Sequence, residues 1–492
     1  MSLRILKFGG SNLREPADLD TCAEITAGYE APCIIVVSAF YGVTDKLEKA
    51  AKEASENGVP PDSFIEEFSS LCYGWLRREP FPEKNRETNK QAGSGGKNTE
   101  ASKEQFVARK NGEARNGPGA MLERLARLLR GVHAIGELPP AIYDNILSFG
   151  ERISAYIVAE TLRTRNMNAQ LALPEEFGLI TSGDFGNAGV LLDDSLSGVR
   201  KHFDGENYFV VPGFYGVSHE GKITLLGRGG TDYSAASLAY QLDAASLDIW
   251  KDVDGFRTAD PGFVNGSSTI GYLSYSEAAE LSYFGAKILH PRTVEPLQKK
   301  NIPLRIFNFR SPGKGARSVI GPGKGDELSG PKSITFSRNF SVIKFRGAGV
   351  GSKPGVLAGI AGIMDSAGVN ISSVFTSQTA ICFLLQNKEL QKAERALKRG
   401  QPELISNVET VSGIALIALV GEGITRKRGV AARVFNAVAE ENINVEIISA
   451  GASASAVYFM VREDDCERAV EAAHRFFFSD MNKAGWHLIQ TL

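Results

Sequence analysis

Residues 341–373 and 415–447 align without a gap at a constant offset of 74 residues. Gly347, Gly349, Gly355 and Asn370 of the first copy face Gly421, Gly423, Gly429 and Asn444 of the second. Glycines held in register over that period mark one supersecondary unit written twice. Each copy reads strand, glycine-rich turn, helix, asparagine-marked turn, strand, strand, helix, which is the βαββαβ order of a ferredoxin-like unit. Units this short commonly pair sheet to sheet. The copies are predicted to occupy 338–400 and 413–480.

Ahead of the repeat the pattern changes. Short apolar runs bounded by glycine, "ILKF", "CIIVVSA", "YFVVPGF", "ITLLG", "LDIWKDV" and "IPLRIF", alternate with helical spacing over the first 310 residues. Uninterrupted runs of this kind suit strands buried on both faces of an α/β sheet covered by helices. A helix is predicted over 141–163. Another should begin at the capping box formed by Ser274 and Glu277 and end near Pro291. Between Pro82 and Gln105 there is no Val, Ile, Leu, Met or aromatic residue. Such sequence cannot bury enough apolar surface to offset its ordering entropy, so 82–118 is expected to be a mobile insertion, a solvated linker rather than a regulatory loop. The Gly-, Pro- and Lys-rich stretch 311–337 reads as an interdomain linker.

Length and composition bound the rest. A chain of 492 residues suggests about three domains, and 43% hydrophobic with 23% charged residues is the balance of a globular protein with sizeable cores. With 55 Lys+Arg against 57 Asp+Glu the net charge is −2, so no global field favours nucleic acid or an anionic membrane. Five scattered cysteines without a CxxC pair argue for reduced thiols and against a disulfide framework or a zinc site. No segment reads as a signal peptide or a membrane span, and the expected location is the cytoplasm.

Several strand ends carry chemistry. "ILKFGGSN" sets Lys7, Gly9, Gly10 and Ser11 where a buried strand stops. Paired glycines let backbone N–H groups approach an oxyanion, and the lysine adds a full charge. The spacing is not that of a Walker A loop. "CIIVVSAFYGVTDKL" delivers Ser38, Thr44 and Asp45 at and beyond a strand tip; hydroxyls and amides there can hold a carboxylate or phosphate, or Thr44 or Asp45 is an ordinary helix cap. In "LLGRGGTDYSAA" Arg228 offers a fork of donors suited to a carboxylate, Gly229 and Gly230 bring amides close, and Asp232 can orient a lysine. "WKDVDGF" ends another strand with Asp252 and Asp254. Lys287 follows in "YFGAKILHP", where a solvent-facing helical position is the plainer reading.

Taken in order, "KFGGS", "VVSAFYGVTD", "SFGERISA", "GRGGTDYSAA" and "FGAKILHP", followed by the doubled unit, resemble the aspartate kinases of the amino-acid kinase superfamily. The resemblance covers nearly the whole chain outside the insertion. It implies a three-layer αβα sandwich kinase domain over 1–310 and two ACT domains. It also implies transfer of the ATP γ-phosphate to the side-chain carboxylate of L-aspartate, with Mg2+ held by the nucleotide and no metal site of the protein's own. Lys7 resembles the lysine that stabilises the transferred group, with Gly9, Gly10 and Ser11 on the phosphates. Ser38, Thr44, Glu151 and Arg228 match aspartate-binding positions, Arg228 for the α-carboxylate and Glu151 for the α-ammonium. Asp232 matches an organising aspartate, Asp252 a nucleotide contact and Lys287 an ATP-phosphate lysine.

One segment departs from the family pattern. Where the family usually reads "TDVDGVYTADPR", this chain has "KDVDGFRTADPG", with Lys251 for Thr, Arg257 for Tyr and Gly262 for Arg. Either Lys251 and Arg257 restore the charge lost at Gly262, or nucleotide binding has weakened and the chain is an amino-acid-binding regulatory subunit. The ACT pair implies feedback by an end product, lysine or threonine, and a homodimer or higher oligomer; a bare dimerisation module is the plainer alternative. Gly355, Val356, Leu357, Asn370, Ser377 and Gln378 match the family's effector contacts. The chain is expected to lack the homoserine dehydrogenase fused on in some relatives. A superfamily member acting on glutamate is disfavoured by the paired ACT units.

Overall fold

The computed structural model describes residues 3–56, 59–77, 117–203, 205, 207–284, 288–324, 330–400 and 404–478. Of the stretch 82–118 only Gly117 and Pro118 fall among them, opening the helix Pro118–Ile135. The chain forms two compact units, one from Met1–Gly255 with Leu289–Pro322, the other from Phe256–Ile288 with Gly323–Leu492. Residues 256–288, inside the span 1–310, thus belong with the C-terminal unit.

In the first unit the parallel strands Ala169–Leu171, Tyr208–Pro212, Cys33–Val37, Arg4–Phe8, Ser246–Lys251 and Leu304–Asn308 lie side by side in that order. Every residue of Cys33–Val37 is buried, as an all-apolar run predicts for a strand covered on both faces. Alternation divides the faces. Leu6, Phe8, Ile35 and Val37 join a core with Ile153 and Ile157 of the helix Pro140–Thr164, against which Val43–Glu56 also packs. Ile5 and Lys7 look to the other side, where the helix Gly230–Gln241 lies on Arg4–Phe8 and packs against Leu192–His202 and Pro291–Lys300. Sheet and two helical layers make the α/β sandwich. The run "ITLLG" instead joins a small separate sheet: Ile223–Leu225 is antiparallel to Tyr215–Ser218, which pairs with Ile180–Thr181. The stretch read as a linker contributes the strand Ser318–Gly321, antiparallel to Leu304–Ile306.

In the second unit Ser373–Thr376, Ala380–Gln386, Ser333–Arg346, Asn407–Val420, Ala456–Arg462 and Ile447–Ala450 form one antiparallel sheet in that order. The repeats therefore meet edge to edge. Ser333–Arg346 and Asn407–Val420 pair along their lengths, from Ser333↔Val420 to Arg346↔Asn407, with a bulge between Ser337 and Val342. Each long strand serves both halves, so the first begins at Ser333, ahead of the expected boundary at 338. Val356–Ser366 and Asn387–Arg399 cover one half around Ile343, Phe345 and Phe383; Val430–Glu440 and Cys466–Phe478 cover the other around Ile417, Phe459 and Val461.

The capping box forms: Ser274 N–H donates to Glu277 Oε2 at 2.7 Å and Glu277 N–H to Ser274 Oγ at 3.2 Å. Its helix is Tyr275–Phe284, and Pro291 opens a separate helix, Pro291–Lys300, where a proline at the first turn needs no donor. Glu277, fully buried, also receives Lys332 Nζ at 2.7 Å and the Glu422 N–H at 2.6 Å, and Tyr458 donates to Glu280 at 2.7 Å. These contacts fasten that helix to the glycine turn and a strand of the second repeat.

Candidate active site

The carboxyl ends of the central strands converge on one buried carboxylate. Lys7 Nζ stands 2.6 Å from Asp232 Oδ1, and Lys251 Nζ stands 3.2 Å from Asp232 Oδ2. Strand pairing explains the meeting. Lys7 is level with Ile249 on the neighbouring strand, so Lys251, two residues further, projects from the same face. Asp232 comes down from the first turn of the helix that covers this face. Burial favours the protonated acid, but the charges of Lys251 and Lys7 outweigh it and hold the Asp232 carboxyl at about 2. Burial also lowers the Lys7 ammonium, opposed by Asp232 and reinforced by Lys251.

Around this cluster the backbone comes close. A β-carbon on Gly10 would stand 2.7 Å from the carbonyl oxygen of Ala39, so only glycine lets the turn after Arg4–Phe8 lie against the loop after Cys33–Val37. Gly9, Gly10 and Ser11 are partly exposed there, beside Lys7. Gly229, at φ 73°, is the left-handed cap of Gly230–Gln241, whose dipole adds positive potential at Asp232.

Glu151 and Ser38 adjoin this end of the sheet. Glu151 is 3% exposed, its Oε2 is buried without a partner, and burial raises its carboxyl to about 8 against the lowering effect of the Ala39 N–H and of Lys7. Ser38 is partly exposed, its carbonyl accepting from Ser154 Oγ at 2.8 Å. Thr44 lies in the first turn of Val43–Glu56, partly exposed. Arg228 is exposed on the turn before Gly230–Gln241, and its charge acts on His290.

The residues expected on the nucleotide side divide. Lys251 is in the cluster. Asp252 is exposed beside Arg14 at 3.5 Å. Arg257 belongs to the other compact unit, where its guanidinium donates to Ser267 Oγ at 3.0 Å and to the Ser267 carbonyl. Lys287 lies outside the described residues. Of the positions expected to contact an effector, Gly355 caps Val356–Ser366 at φ 88°; Val356 is buried, and Leu357, Asn370, Ser377 and Gln378 are exposed. Gly351 N–H donates to Gln378 O at 3.1 Å, setting Ser377 and Gln378 beside the glycine turn, whereas Asn370 follows the opposite end of the helix.

Two residues not singled out from sequence build this site. Arg292 donates to Leu226 O at 3.1 Å, Ala188 O at 2.7 Å and Asn187 Oδ1 at 3.0 Å, and lies over the Tyr233 ring. Asp144, buried on Pro140–Thr164, accepts the N–H groups of Gly186 and Leu225, each at 2.8 Å. Both fix the turn that carries Arg228. An aspartate inside the apolar pattern "IYDNILSF" was the available signal for the second, since a buried carboxylate needs partners.

A mostly parallel sheet with its polar cluster at the strands' carboxyl ends defines a ligand-binding α/β domain. Comparison with known proteins gives the class. The model of the amino acid kinase family matches residues 2–308, and the ACT domain model matches 343–401 and 417–477. Chloroplastic aspartokinase 1 of Arabidopsis thaliana is 30% identical over 489 residues, 96% of this chain and 80% of that protein. Lysine-sensitive aspartokinase 3 of Escherichia coli is 26% identical over 96% of this chain and 99% of its own. The chain spans 58% of the bifunctional aspartokinase/homoserine dehydrogenase of Haemophilus influenzae. Among solved structures, E. coli aspartokinase III with aspartate and ADP (R-state) is similar at a TM-score of 0.76 and 25% identity, covering 97% of this chain and all of that one. The form with lysine and aspartate (T-state) reaches 0.73 at 25% identity, with the same coverage. The chain belongs to the aspartokinases of the amino acid kinase family. Its C-terminal unit is a tandem of ACT domains.

Proposed function

We propose that the protein phosphorylates the side-chain carboxylate of L-aspartate with ATP and is feedback-regulated through its ACT pair. The observation that carries the reading is the cluster Lys7–Asp232–Lys251 beside Glu151, whose Oε2 is buried without a partner: a buried site with two lysines on one carboxylate, next to an acid able to receive an ammonium. In this reading Arg228 takes the α-carboxylate of aspartate, Glu151 the α-ammonium, and Ser38 and Thr44 complete the substrate site. The γ-phosphoryl sits over Gly9, Gly10 and Ser11, with Gly229 and Gly230 across from it. The aspartate side-chain oxygen bonds to the γ-phosphorus as the bond to the bridging oxygen breaks, and the electron pair leaves on ADP. No protein nucleophile is required, so the residues supply position and charge.

Among the described residues no group of three or more His, Cys, Asp or Glu side chains is placed to hold a metal ion. In this reading magnesium would be held by the nucleotide and would supply charge neutralisation at the phosphates, and Asp252 is a nucleotide-side contact. Lys287 is proposed as a further phosphate contact on the family pattern alone. Arg257, engaged by Ser267, is a weaker candidate for replacing charge lost at Gly262 than Lys251 is.

Gly355, Val356, Leu357, Asn370, Ser377 and Gln378 are proposed as contacts for lysine or threonine. A homodimer or higher oligomer forms through the ACT domains in this reading. Regulation then requires that the effector bind the active and inhibited states unequally. ADP release by the purified chain with MgATP and L-aspartate, alone and with lysine, threonine or both, tests the whole. Aspartate-dependent ADP supports the kinase, and the amino acid that suppresses it names the effector. Amino-acid binding with no ADP formed would replace it with a regulatory subunit.

A further inference from the structure

We infer that Lys251 is a second catalytic lysine, which shares Asp232 with Lys7 and meets the oxygens of the transferred phosphoryl group; the inference rests on the kinase reading above. Four observations carry it. Both lysines project from one face of adjacent strands, at the same carboxyl edge, and both reach the same carboxylate, at 2.6 and 3.2 Å. The lysine side chains differ in access: 7% exposed for Lys7 and 18% for Lys251, so Lys251 is the one nearer the opening.

One carboxylate faces two lysines: Asp232 lies within ion-pair distance of both Nζ atoms, and burial, which raises the Glu151 carboxyl, limits the negative charge that residue adds. Burial also lowers the Lys7 ammonium, so an anion arriving beside the pair would favour its charged form, and the dipole of Gly230–Gln241 acts in the same direction. Finally, the two ammonium groups meet different oxygens of that carboxylate, Lys7 at Oδ1 and Lys251 at Oδ2, so neither displaces the other. In the transfer, the bond from the γ-phosphorus to the bridging oxygen breaks and the bond to the substrate carboxylate oxygen forms. Lys251 neutralises charge on the phosphoryl oxygens throughout, and no proton moves.

The test compares the full-length protein with Lys251→Met and Lys251→Arg, following kcat, the KM values for MgATP and L-aspartate, and MgATP affinity by calorimetry. Loss of one preorganised charge contact typically costs 10²–10³ in kcat. Lys251→Met should lower kcat by about 100-fold and MgATP affinity by roughly tenfold, with the aspartate KM within about twofold of wild type. Lys251→Arg, which keeps the charge, should hold MgATP affinity within about threefold and recover part of kcat. The inference is overturned if Lys251→Met turns over within about threefold of wild type, or if Lys251→Arg is as impaired as a folded Lys251→Met. Should Lys251→Met not fold, Lys251→Arg decides alone: loss of MgATP affinity beyond tenfold overturns it. If the wild-type protein forms no phosphoaspartate, the kinase reading fails, and the affinity comparison still decides whether Lys251 meets phosphate: equal MgATP binding by wild type and Lys251→Met refutes it.

Discussion

A β-carbon added to Gly229 would stand 2.4 Å from the Cβ of His290. At φ 73° the residue is also in the left-handed region. Gly229→Ala therefore meets both a clash and backbone strain, on the turn between Arg228 and Asp232. We expect a loss of about 1–3 kcal/mol in unfolding free energy and a raised aspartate KM, read by thermal denaturation and steady-state kinetics. Wild-type values for both would show that the turn relaxes without consequence.

Lys7→Ala removes the buried ammonium paired with Asp232 at 2.6 Å. Turnover should fall by at least about 100-fold while aspartate still binds, as measured by calorimetry. Near-native rates would remove Lys7 from the catalytic assignment.

Arg228 and Arg292 should separate contact from positioning. Arg228→Ala is expected to raise the aspartate KM by roughly tenfold or more with kcat within about threefold, because in the proposed reading its guanidinium grips the α-carboxylate of aspartate. Arg292→Lys, which loses the fork to Leu226 O, Ala188 O and Asn187 Oδ1, should raise the same KM and also lower the melting temperature. An unchanged melting temperature would argue against a scaffolding role for Arg292.

The pH dependence of Glu151 has a definite sign. Its carboxyl is raised to about 8, chiefly by burial, from the usual 4.5. The neutral acid is the form the fold accommodates, so its contribution is fully present below about pH 4.5 and is lost as pH rises toward 8. Relative to Glu151→Gln, wild-type stability should fall by about 1.4 kcal/mol per pH unit between roughly pH 5 and 8. A stability difference independent of pH across that window would contradict the assignment. In the functional reading, an α-ammonium beside Glu151 requires the carboxylate. Aspartate binding at pH 7 should then release close to one proton, seen as a dependence of binding enthalpy on buffer ionisation.

Much of the fold was legible in the sequence because its signals are local. All-apolar runs such as Cys33–Val37 declare strands buried on both faces, and Ser274 with Glu277 declares a helix start three residues apart. The constant offset of 74 residues declared the doubled unit. How those units join was hidden. The pairing of Ser333–Arg346 with Asn407–Val420 depends on residues more than sixty positions apart, and nothing in either strand names its partner.

The candidate site divides in the same way. Sequence determined which residue types stand at strand ends, Lys7, Gly9, Gly10, Lys251 and the Arg228–Asp232 turn, because glycine pairs and charged residues closing apolar runs are visible one stretch at a time. Only the tertiary structure decided that Lys7 and Lys251 share Asp232, that Arg257 turns to Ser267, and that Arg292 and Asp144 hold the turn carrying Arg228. The reason is physical: the partner of a charge and its degree of burial are set by strand order and helix placement, and these set its energy.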